Sequence, residues 1–322
     1  MTFGIMADAS APAKIIFSGE HSVVYGQPAL AIAIDLRCHV KITKDGEGLL
    51  ITSKNYIQKY YYSTAKLENV LSGKTINSKL DNIAMAVLTV FKPNEISHKL
   101  EINSEIPIGA GLGSSAAVAV ATVTAALKIK GEKYDSKTIS DKAFICEKIA
   151  HGNPSGIDNL ISTYGGIVRF QNGNMTKLEL EYEIPIIIID TKIPKETKKM
   201  VELVKKNWKS NPERYNDIFN KMGTLTSKIE KELLNNNLEN IGNLMLENQK
   251  FLEKIGVGIP NIEKLISNLS KLNTFGYKIT GAGGGGAMIV LMKNGDTKEA
   301  IKIVETLGYD VYETKITNLG VN

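Results

Sequence analysis

Six side chains in this sequence are of types that can move a proton, hold a cation or stabilise an anion, and each stands in a dense, patterned run. Lys14 enters the apolar run Ala11-Pro-Ala-Lys-Ile-Ile-Phe17, which reads as a buried strand from Ile15. A lysine placed there must keep its ammonium either paired or solvated. Glu20 and His21 adjoin in a glycine-bounded turn, where such a pair serves as a turn hydrogen bond or as an acid–base pair. Ser115 ends a glycine-rich run. Glu147 sits one turn before the end of an amphipathic helix and reads as a solvated glutamate or as a ligand. Asp158 stands just inside an element that begins at a turn, so it complements a helix dipole or acts as a base.

The run that organises these residues is Ile106-Pro-Ile-Gly-Ala-Gly-Leu-Gly-Ser-Ser-Ala-Ala117. Before it, Leu100 and Ile102 alternate as in a half-buried strand. After it, Ala116 to Leu127 is a run of small apolar residues long enough for a buried helix. Gly109, Gly111 and Gly113 therefore lie between a strand and a helix start, with Ser114 and Ser115 at the N-cap and first turn. Glycine lets a ligand meet bare backbone, and the unpaired N–H groups of a helix start attract anions, phosphate above all. A tight turn that packs helix on strand is the plainer alternative. A Walker A loop needs a lysine after its glycines, and none follows. A dinucleotide fingerprint needs a second strand ending in an acid, and Leu127 leads into polar, then helical, sequence.

The elements that must position this chemistry fall into two halves. Strands are expected at Ile15–Phe17, Ala29–Ile34, Leu36–Thr43 and Leu49–Thr52, with a turn at Lys44–Gly48. Residues 1–10 are weakly patterned, and Asn55–Leu71, rich in tyrosine, carries no assignable period. Lys79–Phe91 has helical spacing, and a further helix follows Asp135 and ends near His151. After the turn-dense Gly152–Asn159 come a short apolar stretch, a strand to Phe170 and a hairpin turn at Asn172-Gly173. Ile184–Ile189 is a continuous β-branched run and reads as a fully buried strand. A domain boundary near residue 180 divides the chain into 1–180 and 181–322. The second half has helices at Lys195–Trp208, Pro212–Leu234, Leu238–Ile255 and Ile262–Leu272, with lysines read as solvated faces. Tyr277-Lys-Ile-Thr then meets four consecutive glycines, Gly283–Gly286, and the strand Ala287–Met292. Glycines flanked by core strands point to a close backbone approach rather than a tether. A helix at Glu299–Leu307 and a strand at Tyr309–Ile316 close the chain.

Composition sets bounds. At 322 residues, 43% hydrophobic and 23% charged, the chain reads as a soluble globular protein of two domains. A net charge of +5, with lysines mixed among acids, implies no nucleic-acid surface. The two cysteines, Cys38 and Cys146, match no metal or redox spacing and read as buried thiols of a cytosolic protein. No basic, apolar leader precedes the first strand. The longest apolar runs are too short to span a bilayer, so no membrane partner is expected.

The motifs together resemble the GHMP kinase superfamily. Ala11–Gly26, Pro107–Ala117 and Lys278–Gly286 are similar to its three motifs, in family order. The segment from Glu147 through His151-Gly-Asn-Pro-Ser-Gly-Ile-Asp158 is the most discriminating and is similar to the branch that phosphorylates mevalonate. The resemblance implies a two-domain α+β fold, with an N-terminal domain like ribosomal protein S5 and a ferredoxin-like C-terminal domain. It implies transfer of the ATP γ-phosphate to the primary hydroxyl of (R)-mevalonate, giving 5-phosphomevalonate for isoprenoid synthesis in the cytoplasm. By family position, backbone at Gly109, Ala110, Gly111, Leu112, Gly113, Ser114 and Ser115 would cradle the triphosphate. Ser115 and Glu147 would hold Mg²⁺, which prefers oxygen ligands. Asp158 would take the hydroxyl proton beside Lys14. Glu20 and His21 would lie near mevalonate, and Asn55 and Ser104 would touch the nucleotide. A homodimer is implied on the same analogy. The sequence departs from the family pattern at Ala13, Ser22 and Tyr25, none of them a reacting group. Another GHMP kinase (for phosphomevalonate, homoserine or a sugar) and a non-catalytic nucleotide-binding regulator are the alternatives.

Overall fold

The computed structural model describes residues 5–54, 58–75, 77, 80–151, 156–293 and 297–322. Asn55 and the stretch 152–155 of the most discriminating segment lie outside the described residues. Strands β1 (Met6–Ser18) and β2 (Ala29–Lys44) form a long antiparallel pair. Residues 6–10, weakly patterned in sequence, are thus the start of a regular strand. The first half of β2 is buried on both faces, whereas beyond Leu36 buried and more exposed residues alternate. That change marks where the strand leaves the sandwich and turns one face to water.

Strand β3 (Gly48–Ser53) pairs with β4 (Gln58–Tyr62), and helix α1 (Thr64–Leu71) follows. These two elements occupy the tyrosine-rich stretch that showed no period. Ser63 caps α1, accepting from the Lys66 amide. Helix α2 (Asp81–Leu88) precedes β5 (Ser97–Ser104), which pairs antiparallel with β2 and parallel with β3. The organising glycines then lead into α3 (Ser114–Lys130). Its N-cap is Gly113, so the two serines stand inside the first turn rather than at the cap. Residues 119–127 of α3 are buried without a polar stripe, as expected of a helix covered on all sides. It packs on β1 and β2 and is flanked by α2, α4 (Ser136–His151) and α5 (Ile157–Tyr164). Strands β6 (Ile167–Gln171) and β7 (Asn174–Leu178) complete the sheet, whose path is β4-β3-β5-β2-β6-β7 with β1 beside β2.

A second, antiparallel sheet begins at β8 (Pro185–Asp190), where Ile186 to Ile189 are fully buried. Helices α6 (Thr197–Ser210), α7 (Pro212–Leu234), α8 (Leu238–Lys254) and α9 (Glu263–Leu269) follow. Strands β9 (Thr274–Ile279) and β10 (Ala287–Met292), helix α10 (Lys298–Thr306) and β11 (Asp310–Lys315) close it, in strand order β11-β8-β10-β9. The sheets meet directly: Ile316 bridges to Ile34, and the Thr317 amide donates to the Ala33 carbonyl at 3.0 Å. One hydrophobic core runs through both. Cys38 and Cys146 are buried thiols, and burial pushes both up to about 12. Among the described residues no helix is long and apolar enough to cross a membrane.

Candidate active site

A cleft of about 580 Å³ opens where the glycine loop, β1, α4, α5 and the start of α6 converge. Gly109, Gly111 and Gly113 all have φ near +80°, a region other residues enter at a cost. The Lys14 amide donates to the Leu112 carbonyl at 2.9 Å and ties the loop to β1. Space is as strict as backbone angle: a Cβ on Gly113 would lie 2.8 Å from Lys14 Cγ. The loop and Lys14 are therefore positioned together.

Lys14 Nζ lies 3.1 Å from Asp158 Oδ1, with the lysine nearly buried and Asp158 about one-third exposed. Asp158 stands in the first turn of α5, where the helix dipole favours its anion. Two buried side chains hold α5 in place. Ser162 Oγ donates to the Pro12 carbonyl at 3.0 Å, which fixes the helix to the strand that carries Lys14. Asn159 Nδ2 donates to Ser140 O and Oγ at 3.0 and 2.9 Å, which fixes it to α4. Helix α4 carries Glu147.

Burial, then the Asp158 charge, pushes the Glu147 carboxyl up to about 7, against the pull of Lys14. Its Oε2 is buried without a partner. An orphaned carboxylate oxygen in a cleft is what a hard cation would satisfy. Among the described residues no three His, Cys, Asp or Glu side chains cluster for a metal. The donor set therefore fits Mg²⁺ that arrives on phosphates and takes few protein ligands, not a cation in a protein cage. Ser115 also lines the cleft.

Sequence reasoning passed over Lys195. The helix expected from Lys195 begins at Thr197, which leaves Lys195 on the preceding loop. Its amine lies between two glycine loops: a Cβ on Gly111 would overlap Nζ, and one on Gly281 would lie 2.6 Å from it. Burial and then Lys14 lower its pKa to about 8, while Asp158 and Glu20 oppose the shift. Its signal in sequence was slight, a proline-lysine step between a core strand and a helix.

Ser104 lines the cleft at the end of β5, beside Ile83, Ile102, Ile108 and Val118. Glu20 and His21 are buried beside the cleft rather than in its lining. Glu20 pairs with Lys278, and the two side chains are 2% and 0% exposed. His21 adopts φ of +59° and its Nε2 hydrogen-bonds the Ala282 carbonyl at 2.9 Å. Burial lowers its pKa, which favours the neutral ring. The structure thus brings Lys14, Ser104, the glycine loop, Ser115, Glu147 and Asp158 to one cleft and sets Glu20 and His21 behind its wall.

Residues 75–166 match the family of GHMP kinase N-terminal domains and residues 229–305 that of GHMP kinase C-terminal domains. Fold and site together therefore define an α+β enzyme of the small-molecule kinase class. The mevalonate kinase of Thermococcus sibiricus is 36% identical across 92% of each chain. That of Pyrococcus furiosus is 35% identical across 97% of each. The structure is similar to the Methanococcus jannaschii mevalonate kinase, with a TM-score of 0.83 and 26% identity over 98% of this chain and 99% of that one. The L. major enzyme, solved with R-mevalonate, shares the fold at a TM-score of 0.79 and 21% identity, over 99% of this chain and 97% of its own. The chain belongs to the mevalonate kinase family of GHMP kinases.

Proposed function

We propose that this enzyme transfers the γ-phosphoryl group of ATP to the primary hydroxyl of (R)-mevalonate, yielding 5-phosphomevalonate and ADP. The observation that carries the reading is the Lys14–Asp158 pair, 3.1 Å apart, facing the same cleft as the glycine loop. Phosphoryl transfer is mostly positioning and charge stabilisation. Backbone N–H groups from Gly109 to Ser115 hold the triphosphate at the start of α3. Ser104 and the apolar wall formed by Ile83, Ile108 and Val118 receive the nucleoside.

Asp158 accepts the hydroxyl proton as the acceptor oxygen attacks the γ-phosphorus and the bond to the β-phosphate oxygen breaks. Lys14 lies against that carboxylate and faces the growing negative charge. Lys195, between the glycine loops, supplies a second cation. Glu147 and Ser115 would hold Mg²⁺, which when bound neutralises phosphate charge. His21, behind the cleft wall, braces the acceptor side through its contact with the Gly281–Gly286 loop. The proposal divides the chain near residue 180, between β7 and β8, and includes a cytoplasmic homodimer, whose assembly light scattering tests.

ADP release with Mg-ATP tests the reading, using mevalonate, phosphomevalonate, homoserine and galactose as parallel acceptors. Release with mevalonate alone supports it. Release only with another acceptor overturns the substrate, and ATP binding without turnover on any acceptor supports a regulator instead.

A further inference from the structure

We propose that Lys278 is a positioning residue: by holding the Glu20 carboxylate it locks the glycine-rich loop Gly281–Gly286, and with it Lys195, over the reacting groups. This inference rests on the kinase reading above.

Three contacts, from alternate residues Lys278, Thr280 and Ala282, form a seam between the end of β9 with its following loop and the end of β1 with its following turn. Lys278 Nζ pairs with Glu20 Oε1 and donates to the Ile279 carbonyl at 2.6 Å. Thr280 Oγ1 accepts from the Ile16 amide at 3.1 Å and donates to the Ile16 carbonyl at 2.9 Å. The Ala282 carbonyl meets His21 Nε2. Gly281 within the seam and Gly286 just beyond it pack against the Lys195 side chain. Gly286 also backs onto the first glycine loop, where its Cβ would lie 3.0 Å from the Ala110 carbonyl.

The pair is fully sequestered, and Asn248 Nδ2 of α8 lies 3.4 Å from the other Glu20 oxygen. Both Glu20 oxygens are thus committed to protein partners. Burial pulls the Lys278 amine below its ordinary value, and the Glu20 charge pushes it back. A carboxylate so enclosed orients its neighbours. It acts on the acceptor side through His21, next in the chain, and on Lys195 through the loop. The charged and titratable groups that face Lys195 are Lys14 from β1, Asp158 from α5, and Glu20 and His21 from the turn after β1.

The test is a cycle of Glu20→Gln, Lys278→Met and the double variant, read as kcat and KM with Mg-ATP and mevalonate. A loop displaced by a fraction of an ångström lowers kcat about 10–100-fold in each single variant. The double variant is expected within about threefold of the worse single, because both remove one coupled unit. Losses that multiply would overturn the proposal, since Glu20 would then act on the acceptor independently.

A second readout does not need turnover: titration of Lys195 by its ¹³Cε resonance in the unliganded protein. Glu20→Gln removes an opposing charge, so Lys195 titrates lower than in the wild type. Lys278→Met unseats the loop and lets water reach the Lys195 amine, so Lys195 titrates higher, nearer its ordinary value. Shifts in the same direction, or none, would overturn the coupling. If Lys278→Met does not fold, the near-isosteric Glu20→Gln decides alone, and an unmoved Lys195 refutes the proposal. A wild type silent towards mevalonate would sink the substrate reading, while the Lys195 titration would still decide this inference.

Discussion

Replacing Lys195 by Met should make the enzyme slower and, at neutral pH, more stable. The side chain keeps its length and loses its charge. In the folded protein the amine titrates near 8, against an ordinary 10.5, because it is desolvated and faces Lys14. Between those values the unfolded chain binds a proton that the folded one does not. Stability therefore rises with pH from about 8 to 10.5, and the full penalty is present below 8. The shift corresponds to an upper bound of about 3 kcal/mol, so removal of the charge at pH 7 should stabilise by roughly 1–3 kcal/mol. For a chain of this size the melting temperature should rise by roughly 2–6 °C. Meanwhile, under the proposed role of Lys195 as a preorganised cation for the transferred phosphoryl group, its loss should cost about 10²–10³ in kcat. Thermal melts at pH 7 and pH 10, beside ADP-release kinetics, measure both. The stability gain should shrink at the higher pH. Turnover within about threefold of wild type, or a lower melting temperature at pH 7, would refute the placement of a strained cation at the reacting centre.

Three further outcomes follow from the geometry. Chelation of Mg²⁺ should stop turnover, and Glu147→Gln should raise the Mg²⁺ needed for half-maximal rate by about tenfold or more, read by metal titration of ADP release. Asn159→Leu should destabilise by about 1–3 kcal/mol, because it strips both bonds to Ser140, and should lower kcat by loosening Asp158; urea unfolding and kinetics check it. Gly113→Ala should cost about 1–2 kcal/mol in backbone strain and displace Lys14, so kcat should fall more than the ATP affinity, as calorimetry and kinetics report.

What could be read from sequence was local. The strand, three glycines and small-residue helix around Gly109–Ser115 are contiguous, and each obeys one period or one turn rule, so β5 and α3 fell where expected. The same holds for Ile184–Ile189, whose unbroken β-branching matches a strand buried on both faces. The start of β1 was hidden because Met6, Ala7 and Asp8 are more exposed than the strand they begin. Strand β4 and helix α1 were hidden because Tyr60, Tyr61 and Tyr62 suit either environment; Tyr62 is buried only because its hydroxyl finds Asp81 at 2.8 Å. Lysines were the hardest to read. Lys14 stood out as a charge in an apolar strand. Lys278 carries the same signal, within Tyr277-Lys-Ile-Thr280, and is fully buried, but the neighbouring glycines are the stronger local pattern. Lys195 precedes a helix full of solvated lysines, and only the fold reveals that its amine turns between two loops. Partners distant in the chain, such as Asp158 for Lys14 or Glu20 for Lys278, depend on how the sheets meet.

The most direct test of the account is the turnover of Asp158→Asn beside wild type, with Mg-ATP and (R)-mevalonate, and with ATP affinity measured on both proteins. Asp158 touches Lys14, and in the proposed mechanism it is the group that takes the acceptor proton. The expected result is a loss of about 10²–10⁴ in kcat with ATP binding held within about threefold. Near-normal turnover in that variant would contradict the assignment of the base, and with it the mechanism built on the Lys14–Asp158 pair.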